Sequence, residues 1–436
     1  MSNQQLQSQL NKEYYPLTIP QQNIFSIRKC TPFRKYEKEA LGFYFLVKGD
    51  ADEEILEKSF NRLVYENDSL RIRFKIRTAW NVKQYIEDYR YESVDRIKVK
   101  DWAACKKKMI EYKTSFPIST KSHEKQYRAA IITFDEGAAL LVIVSHYCFD
   151  GYSIVLAVNK LAKYYETFEK GESPAEPDSR FSIKNYISAN VDYSKSQRYR
   201  DNVKYWKNEL KKRPNIGFPI RKRKLNSLAK NIKRIIDGET YRKLLDISEK
   251  NNIPVTFLIT SMIGYTMFDI TGCRCFNIAS NQHSRITFSQ KNTIGCMHNT
   301  FLHFFDIDPE QNMIEYIKEN ALEYLDNMRH GEIDAQRIFF IGLGRALKKF
   351  NLSYFGLLLS ILDLNGIDID EERFGYWFVT DNDDRANQLY VSVTDNYNDE
   401  IEIFLSYQES LFNDDEIQEM EKVFMANIDK LIKQGE

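Results

Sequence analysis

Ala138–Ala139–Leu140–Leu141–Val142–Ile143–Val144 contains no polar residue and runs directly into Ser145–His146–Tyr147–Cys148–Phe149–Asp150–Gly151. A strand that is apolar on alternate residues covers one face of a sheet. One that is apolar at every position is covered on both, so this run is expected to be a central, buried strand. Upstream, Arg128 to Phe134 reads as its neighbour, and Asp135–Glu136–Gly137 between them as a hairpin whose glycine takes a positive φ. Downstream, Ile154, Leu156, Val158, Leu161 and Tyr165 form the apolar stripe of a helix over Ser153 to Phe168. His146 therefore stands where a buried strand ends and a helix is about to begin, a place where a rigid sheet holds a side chain in a fixed pose.

The surrounding chain repeats this alternation of strands and helices. Ala40 to Val47 has strand character, and Asp50 and Asp52 punctuate it before a helical pattern (Ile55, Leu56, Phe60, Leu63, Val64) over Glu53 to Tyr65. Leu70 to Ile76 alternates apolar and basic residues, as a half-buried strand does. Gly171 to Ser179, with Pro174 and Pro177, is the best linker candidate. A long tyrosine-rich helical stretch follows over Ile183 to Leu210, with further helices expected at Asp237 to Asn251 and Val255 to Ile270. Strands are expected at Cys275 to Ala279, Phe301 to Ile307, Tyr354 to Ile361, Gln388 to Val393 and Ile401 to Tyr407, and a closing amphipathic helix at Asp414 to Lys433. The pattern predicts an α/β protein of two layered halves, residues 1–175 and 176–436.

Composition narrows the class. The 436 residues are 43% hydrophobic and 28% charged, enough apolar material for two cores. Lys plus Arg and Asp plus Glu both total 62, so the net charge is zero and a dedicated nucleic-acid binder is not expected. The basic run Arg221–Lys222–Arg223–Lys224 reads as a solvated loop. The 27 tyrosines and 28 phenylalanines are expected mostly in cores rather than on a base-stacking platform. Met1 to Lys12 shows no secretory signal, and no apolar run reaches the ~18 residues of a membrane span. The six cysteines (Cys30, Cys105, Cys148, Cys273, Cys275, Cys296) are scattered. They are read as reduced thiols of a cytoplasmic protein, with no metal site; Cys273–Arg274–Cys275 is too close-set for a zinc knuckle.

His146 is the candidate for proton transfer, because imidazole titrates near neutrality, at about 6.5. Asp150 is placed to orient the ring or to brace the loop through an arginine. Gly151 offers a backbone N–H at a helix start, where negative charge is stabilised. The other histidines lack metal-ligand spacing: His283, His298 and His303 fall in or near strands, and His123 and His330 read as surface residues. Ser153 lies two residues past Gly151 without the Gly-x-Ser-x-Gly elbow of a hydrolase.

The segment Ser145 to Gly151 resembles the His-His-x-x-x-Asp-Gly motif of nonribosomal peptide synthetase condensation domains, in the chloramphenicol-acetyltransferase-like superfamily. His146, Asp150 and Gly151 match, and Ser145 replaces the first histidine. Further segments are similar in the family's order: Tyr15 to Gln22, Asn67 to Phe74, Tyr205–Trp206 with Leu210, Ala279 to Arg285, Ile294 to Thr300, and Tyr407 to Phe412. In the second of these, Glu66 and Asn67 stand where the family has Arg-His.

The resemblance implies two chloramphenicol-acetyltransferase-like halves forming a V-shaped pseudo-dimer with a tunnel at their interface. It implies an acyltransferase that joins a carrier-bound acyl or aminoacyl thioester to an amine, forming an amide or an ester in antibiotic biosynthesis. His146 would deprotonate or orient the amine, or stabilise the charge developing on it. Gly151 would supply a donor near the thioester, and Ser145 and Asn299 would bind substrate. Asp150 would be paired with an arginine, Arg285 as first choice and Arg71 as second. Acyl or peptidyl carrier proteins and a free or carrier-bound amine are the expected partners, with phosphopantetheine (or CoA) arriving on the substrate and no cofactor bound permanently. The protein is expected to be a monomer and free-standing, an excised module being the alternative. Two rival readings remain: an acyltransferase that uses free acyl-CoA, and a non-catalytic platform that binds carrier proteins.

Overall fold

The apolar run is the strand Gly137–Ser145, and all its residues are buried. Alternate residues feed two different cores. Leu140, Val142 and Val144 join Phe43, Phe45, Phe60 and Leu161, while Ala139, Leu141 and Ile143 join Cys105, Met109 and Tyr112 on the opposite face. Gly137 has φ +152°, and a Cβ there would lie 2.3 Å from the Val47 carbonyl oxygen, so the hairpin needs a glycine at this point.

The computed structural model describes residues 12–30, 40–78, 81–115, 122–213, 218–219, 229–334, 352–353, 357–363, 366–379, 389–395 and 400–435. Along the chain the elements are β1 Tyr15–Pro16, α1 Ile19–Cys30, β2 Ala40–Lys48, α2 Glu53–Glu66, β3 Ile72–Thr78, β4 Asn81–Ile86, β5 Asp95–Lys98, α3 Trp102–Ser115, β6 Tyr127–Phe134, β7 Gly137–Ser145 and α4 Gly151–Glu169. Then come α5 Ile183–Lys195, α6 Gln197–Lys212, β8 Phe218–Pro219, β9 Ala229–Ile236, α7 Gly238–Asn251, α8 Val255–Thr271, β10 Cys275–His283, α9 Phe288–Asn292, β11 His298–Asp306 and α10 Met313–Arg329. Last are β12 Leu352–Ser353, β13 Leu357–Asp363, β14 Phe374–Phe378, β15 Leu389–Asp395, β16 Ile401–Gln408 and α11 Asp414–Gly435. The Arg221–Lys224 run, the chain up to Asn11, Gln388 and the first three residues of the strand expected from Tyr354 lie outside the described residues.

The chain divides into two compact units. The first is residues 1–194 with two later segments, 285–297 and 366–381; the second is the remainder. The boundary expected at 175/176 is thus displaced, and the chain crosses it several times. Gly171–Ser179 is not the divider: it lies on α2, where Arg62 donates to the Ala175 carbonyl. The parting falls in the expected long helix instead, which breaks into α5 and α6. Ser196 caps α6 there by accepting from the Tyr199 N–H.

The first unit has a five-stranded sheet in the order β14–β2–β7–β6–β5 and a three-stranded sheet, β1–β4–β3. Helices α2 and α4 cover one face of the larger sheet through Leu56, Phe60, Leu63, Val158 and Leu161, and α3 covers the other. Strand β14 comes from far along the chain and pairs antiparallel with β2, Tyr376 opposite Phe45. The second unit is built on a six-stranded sheet, β11–β10–β13–β15–β16–β9, mixed in direction because β13 runs parallel to both its neighbours. Helices α7, α8, α10 and α11 supply its core, and α8 is buried along most of its length. That burial explains the helix's apolar composition. Among the described residues no single helix is long and apolar enough to cross a membrane. The five cysteines with described side chains are free thiols.

Candidate active site

Strand β7 ends at Ser145, and a turn follows in which the Cys148 N–H donates to the Ser145 carbonyl at 2.9 Å. Packing pins this turn on two sides. Tyr147 and Cys148 enter a cluster with Phe25, Phe74, Ile187 and Met297, whereas Phe149 belongs to the core beneath the sheet. His146 lies between these anchors, half-buried. Its Nδ1 is 2.8 Å from the Phe149 carbonyl oxygen. A carbonyl only accepts, so the proton of the neutral ring sits on Nδ1 and the lone pair on Nε2. Burial holds the His146 pKa below its ordinary value of 6.5, opposed by the Phe149 carbonyl and the Asp150 carboxylate. The ring is therefore a neutral acceptor at pH 7.

Asp150 caps α4: its Oδ1 accepts from the Ser153 N–H at 2.9 Å and from the Ser153 hydroxyl at 2.8 Å. Its Oδ2 accepts from Arg285 Nη1 at 2.6 Å and from the Met297 N–H at 2.8 Å. The Asp150 and Arg285 side chains are 1% and 0% exposed, so each charge depends on the other. Arg285 Nη2 also donates to Ser153 Oγ at 2.9 Å and to the Gly295 carbonyl at 3.0 Å, and the guanidinium lies 4.8 Å from the centre of the Tyr152 ring. Ser153 Oγ in turn accepts from the Gly295 N–H at 3.0 Å. One carboxylate, one guanidinium and one hydroxyl thus tie the start of α4 to the segment 285–297.

His146, Asp150, Gly151 and Arg285 are brought together, Gly151 as the first residue of α4. Arg71 is not the carboxylate's partner; it donates to the backbone carbonyls of Glu87 at 2.8 Å and Val64 at 3.2 Å. Asn299 is buried in the second unit and serves its backbone, donating to the Gly331 carbonyl and accepting from the Thr300 N–H at 3.0 Å. Ser145 is buried, with its hydroxyl 3.4 Å from the Tyr147 N–H. Among the other histidines, His330 is only half on the surface: it stacks on Tyr205 at 3.9 Å and bonds Asn202 at 2.8 Å.

Two contributors have weaker signals in the sequence. Ser153 is no hydrolase nucleophile; it is the third member of the Asp150–Arg285 cluster, and its place three residues after a capping aspartate is the clue. Gln21, inside the similar segment Tyr15–Gln22, donates to the Tyr147 carbonyl at 3.0 Å. Cys148, for its part, is buried, and burial pushes its thiol up to about 12, away from the nucleophilic thiolate form.

Residues 11–436 match the family described as Condensation domain. The chain is 20% identical over 324 residues to surfactin synthase subunit 1 of Bacillus subtilis (strain 168), a match covering 73% of this chain and 9% of that protein. It is 22% identical over 298 residues to bacitracin synthase 1 of Bacillus licheniformis, covering 65% of this chain and 6% of that protein. The chain thus spans a small fraction of these relatives. Among solved structures it is similar to the starter condensation domain of rhizomide synthetase crystallised with C8-CoA, with a TM-score of 0.81 at 15% identity over 98% of this chain and 97% of that one. It is also similar to the epimerization domain from the third module of a tyrocidine synthetase, with a TM-score of 0.79 at 16% identity over 97% and 98% of the two chains. Those likenesses establish the fold, and the match over nearly the whole sequence establishes the family: the chain belongs to the condensation domain family.

Proposed function

We propose that this protein transfers an acyl or aminoacyl group from a phosphopantetheine thioester on a carrier protein to an amine, forming an amide in nonribosomal peptide synthesis. One observation carries the reading: His146 is neutral, tautomerically fixed by the Phe149 carbonyl, and carries its lone pair on Nε2. The fold alone does not choose the reaction, because an epimerization domain shares it; the site and the family together favour transfer.

In this scheme the amine nitrogen attacks the thioester carbonyl carbon and gives up a proton to His146 Nε2. The carbon–nitrogen bond forms, the carbon–sulfur bond breaks, and the departing sulfur takes the proton back from Nε2. The Gly151 N–H, at the positive end of α4, is the candidate donor to the carbonyl oxygen as charge develops there. Asp150 and Arg285 hold the loop and the helix start in place.

A thioester has the same chemistry on a carrier protein or on CoA, so the test uses both donors. Acyl-loaded carrier protein and a panel of amines are incubated with wild type and with His146→Ala, and the carrier's intact mass is followed. Loss of the acyl group with an amide product, dependent on acceptor and on His146, is the expected result. Transfer from acyl-CoA alone replaces the carrier-bound donor with acyl-CoA. Silence with both donors alongside tight carrier binding overturns the catalytic reading in favour of a binding platform.

A further inference from the structure

The turn that carries His146 is held from outside the sheet by a buried amide. Gln21, on α1, is 3% exposed and Gln84, on β4, is 0% exposed. Their side chains pair reciprocally, Nε2 to Oε1 at 2.8 Å in each direction. Gln21 Nε2 donates in addition to the Tyr147 carbonyl at 3.0 Å, and Gln21 Oε1 accepts from the Thr18 N–H at 2.9 Å. Both ends fix the amide's orientation. Turned over, it would set oxygen against the Tyr147 carbonyl and an NH2 against the Thr18 N–H. Gln84 has a separate backbone anchor, donating to the Pro16 carbonyl at 2.8 Å.

The turn therefore has two carbonyls under control. Gln21 holds that of Tyr147, and His146 Nδ1 holds that of Phe149, two residues on. From this geometry we infer that Gln21 is a positioning residue for His146: by fixing the Tyr147 carbonyl it keeps the Phe149 carbonyl in line with Nδ1, and so keeps the lone pair on Nε2. The Tyr147 ring, packed 4.3 Å from Phe25, supports the peptide from its other end. A glutamine rather than an apolar residue is needed because the buried Tyr147 carbonyl requires a donor and the Thr18 N–H an acceptor.

The role in transfer rests on the acyltransferase reading; the positioning itself does not, and it is read directly on the imidazole. The whole chain labelled with 15N-histidine has six ring systems, and His146→Ala assigns the one of interest. In wild type the His146 ring is expected as the Nδ1–H tautomer. Gln21→Met, which keeps the length and removes the donor, is expected to bring in the Nε2–H tautomer and shift the ring's titration. It should lower kcat by about ten- to a hundredfold with little change in KM, the scale expected of a small misplacement. Gln21→Glu, whose carboxylate cannot donate, should do the same and serves if Gln21→Met does not fold. Gln84→Met breaks the amide pair but leaves the bond to Tyr147, so its His146 signals should match wild type. Wild-type signals in both Gln21 variants overturn the inference, as does an equal shift in Gln84→Met, which would reduce the pair to packing. A shifted ring in protein that transfers nothing, wild type included, supports the positioning while removing the transfer reading.

Discussion

His146 and His303 are both shielded from water, the first partly and the second wholly, one in each unit. The contrast between their settings separates a site from a core. His303, on β11, is 0% exposed, with its ring 4.3 Å from Phe305 and 4.8 Å from Tyr324. Its Nε2 faces Asn320 Oδ1 at 3.1 Å, and the Asn320 NH2 group donates to the Phe304 carbonyl, which leaves Oδ1 as the acceptor. His303 is thus the Nε2–H tautomer and His146 the Nδ1–H tautomer. Burial depresses both pKa values, that of His303 to about 3. A depressed pKa therefore does not mark function. What distinguishes His146 is its platform: a turn at a strand end, a helix start, and a buried ion pair behind them, where His303 has a sheet face and aromatic rings.

The sharpest way to break this contrast is to exchange the losses. His146→Ala should cost about 10²–10⁴-fold in acyl transfer while the melting temperature barely moves. His303→Leu should change the melting temperature and leave transfer per folded molecule intact. Activity measured beside calorimetry decides it, and equal turnover by His146→Ala would end the catalytic assignment.

Next in size is the ion pair. Arg285→Met strands the Asp150 carboxylate in the interior and should destabilise the protein by about 3–5 kcal/mol. Adding Asp150→Asn should recover part of that in denaturant unfolding. If Arg285→Met keeps wild-type stability, the cluster is not what secures the segment 285–297.

A smaller effect is expected beside His303. A Cβ on Gly264, in α8, would lie 2.0 Å from the Phe305 ring. Gly264→Ala should therefore cost about 1–3 kcal/mol through overpacking, although alanine favours helices. The effect should leave transfer rates of the folded protein unchanged, which places the strain in the second unit.

The last difference appears only in acid. His303 titrates at about 3 when folded, below its ordinary 6.5, so between those values the unfolded chain binds more protons. Stability should fall as pH drops from 6.5 towards 3, and His303→Leu should flatten that slope. For His146 the readout is rate: kcat/KM should hold at neutral pH and decline only as pH falls below 6.5, through a lowered pKa.

Local order was legible because periodicity and capping act over neighbouring residues. Gly137–Ser145 reads as a two-faced strand because its apolar run is unbroken, and the stripe Ile154, Leu156, Val158, Leu161 and Tyr165 reads as the helix α4. The helix Met313–Arg329 is not among the expected elements, although Met313, Tyr316, Ile317 and Tyr324 form a stripe behind the cap Asn312. By contrast α3 buries only Cys105, Met109 and Tyr112, a thin pattern in a lysine-rich stretch. Strand β14 is signalled even less, since Phe374–Phe378 becomes a strand by docking on β2, hundreds of residues away in sequence.

At the site the division is similar. The sequence by itself determined which imidazole ends the buried strand and which carboxylate follows it near the helix start, because these follow from residue type and short spacing. A pairing with an arginine is implied by the family resemblance and stands beside the alternative of orienting the ring. Only the tertiary structure decided that the arginine is Arg285 and not Arg71, that the Phe149 carbonyl sets the His146 tautomer, and that Asn299 is a backbone brace. It also decided that Gln21 grips the Tyr147 carbonyl. Each of those depends on which distant backbone atoms packing brings within about 3 Å, the range of a hydrogen bond, and no local pattern encodes that distance.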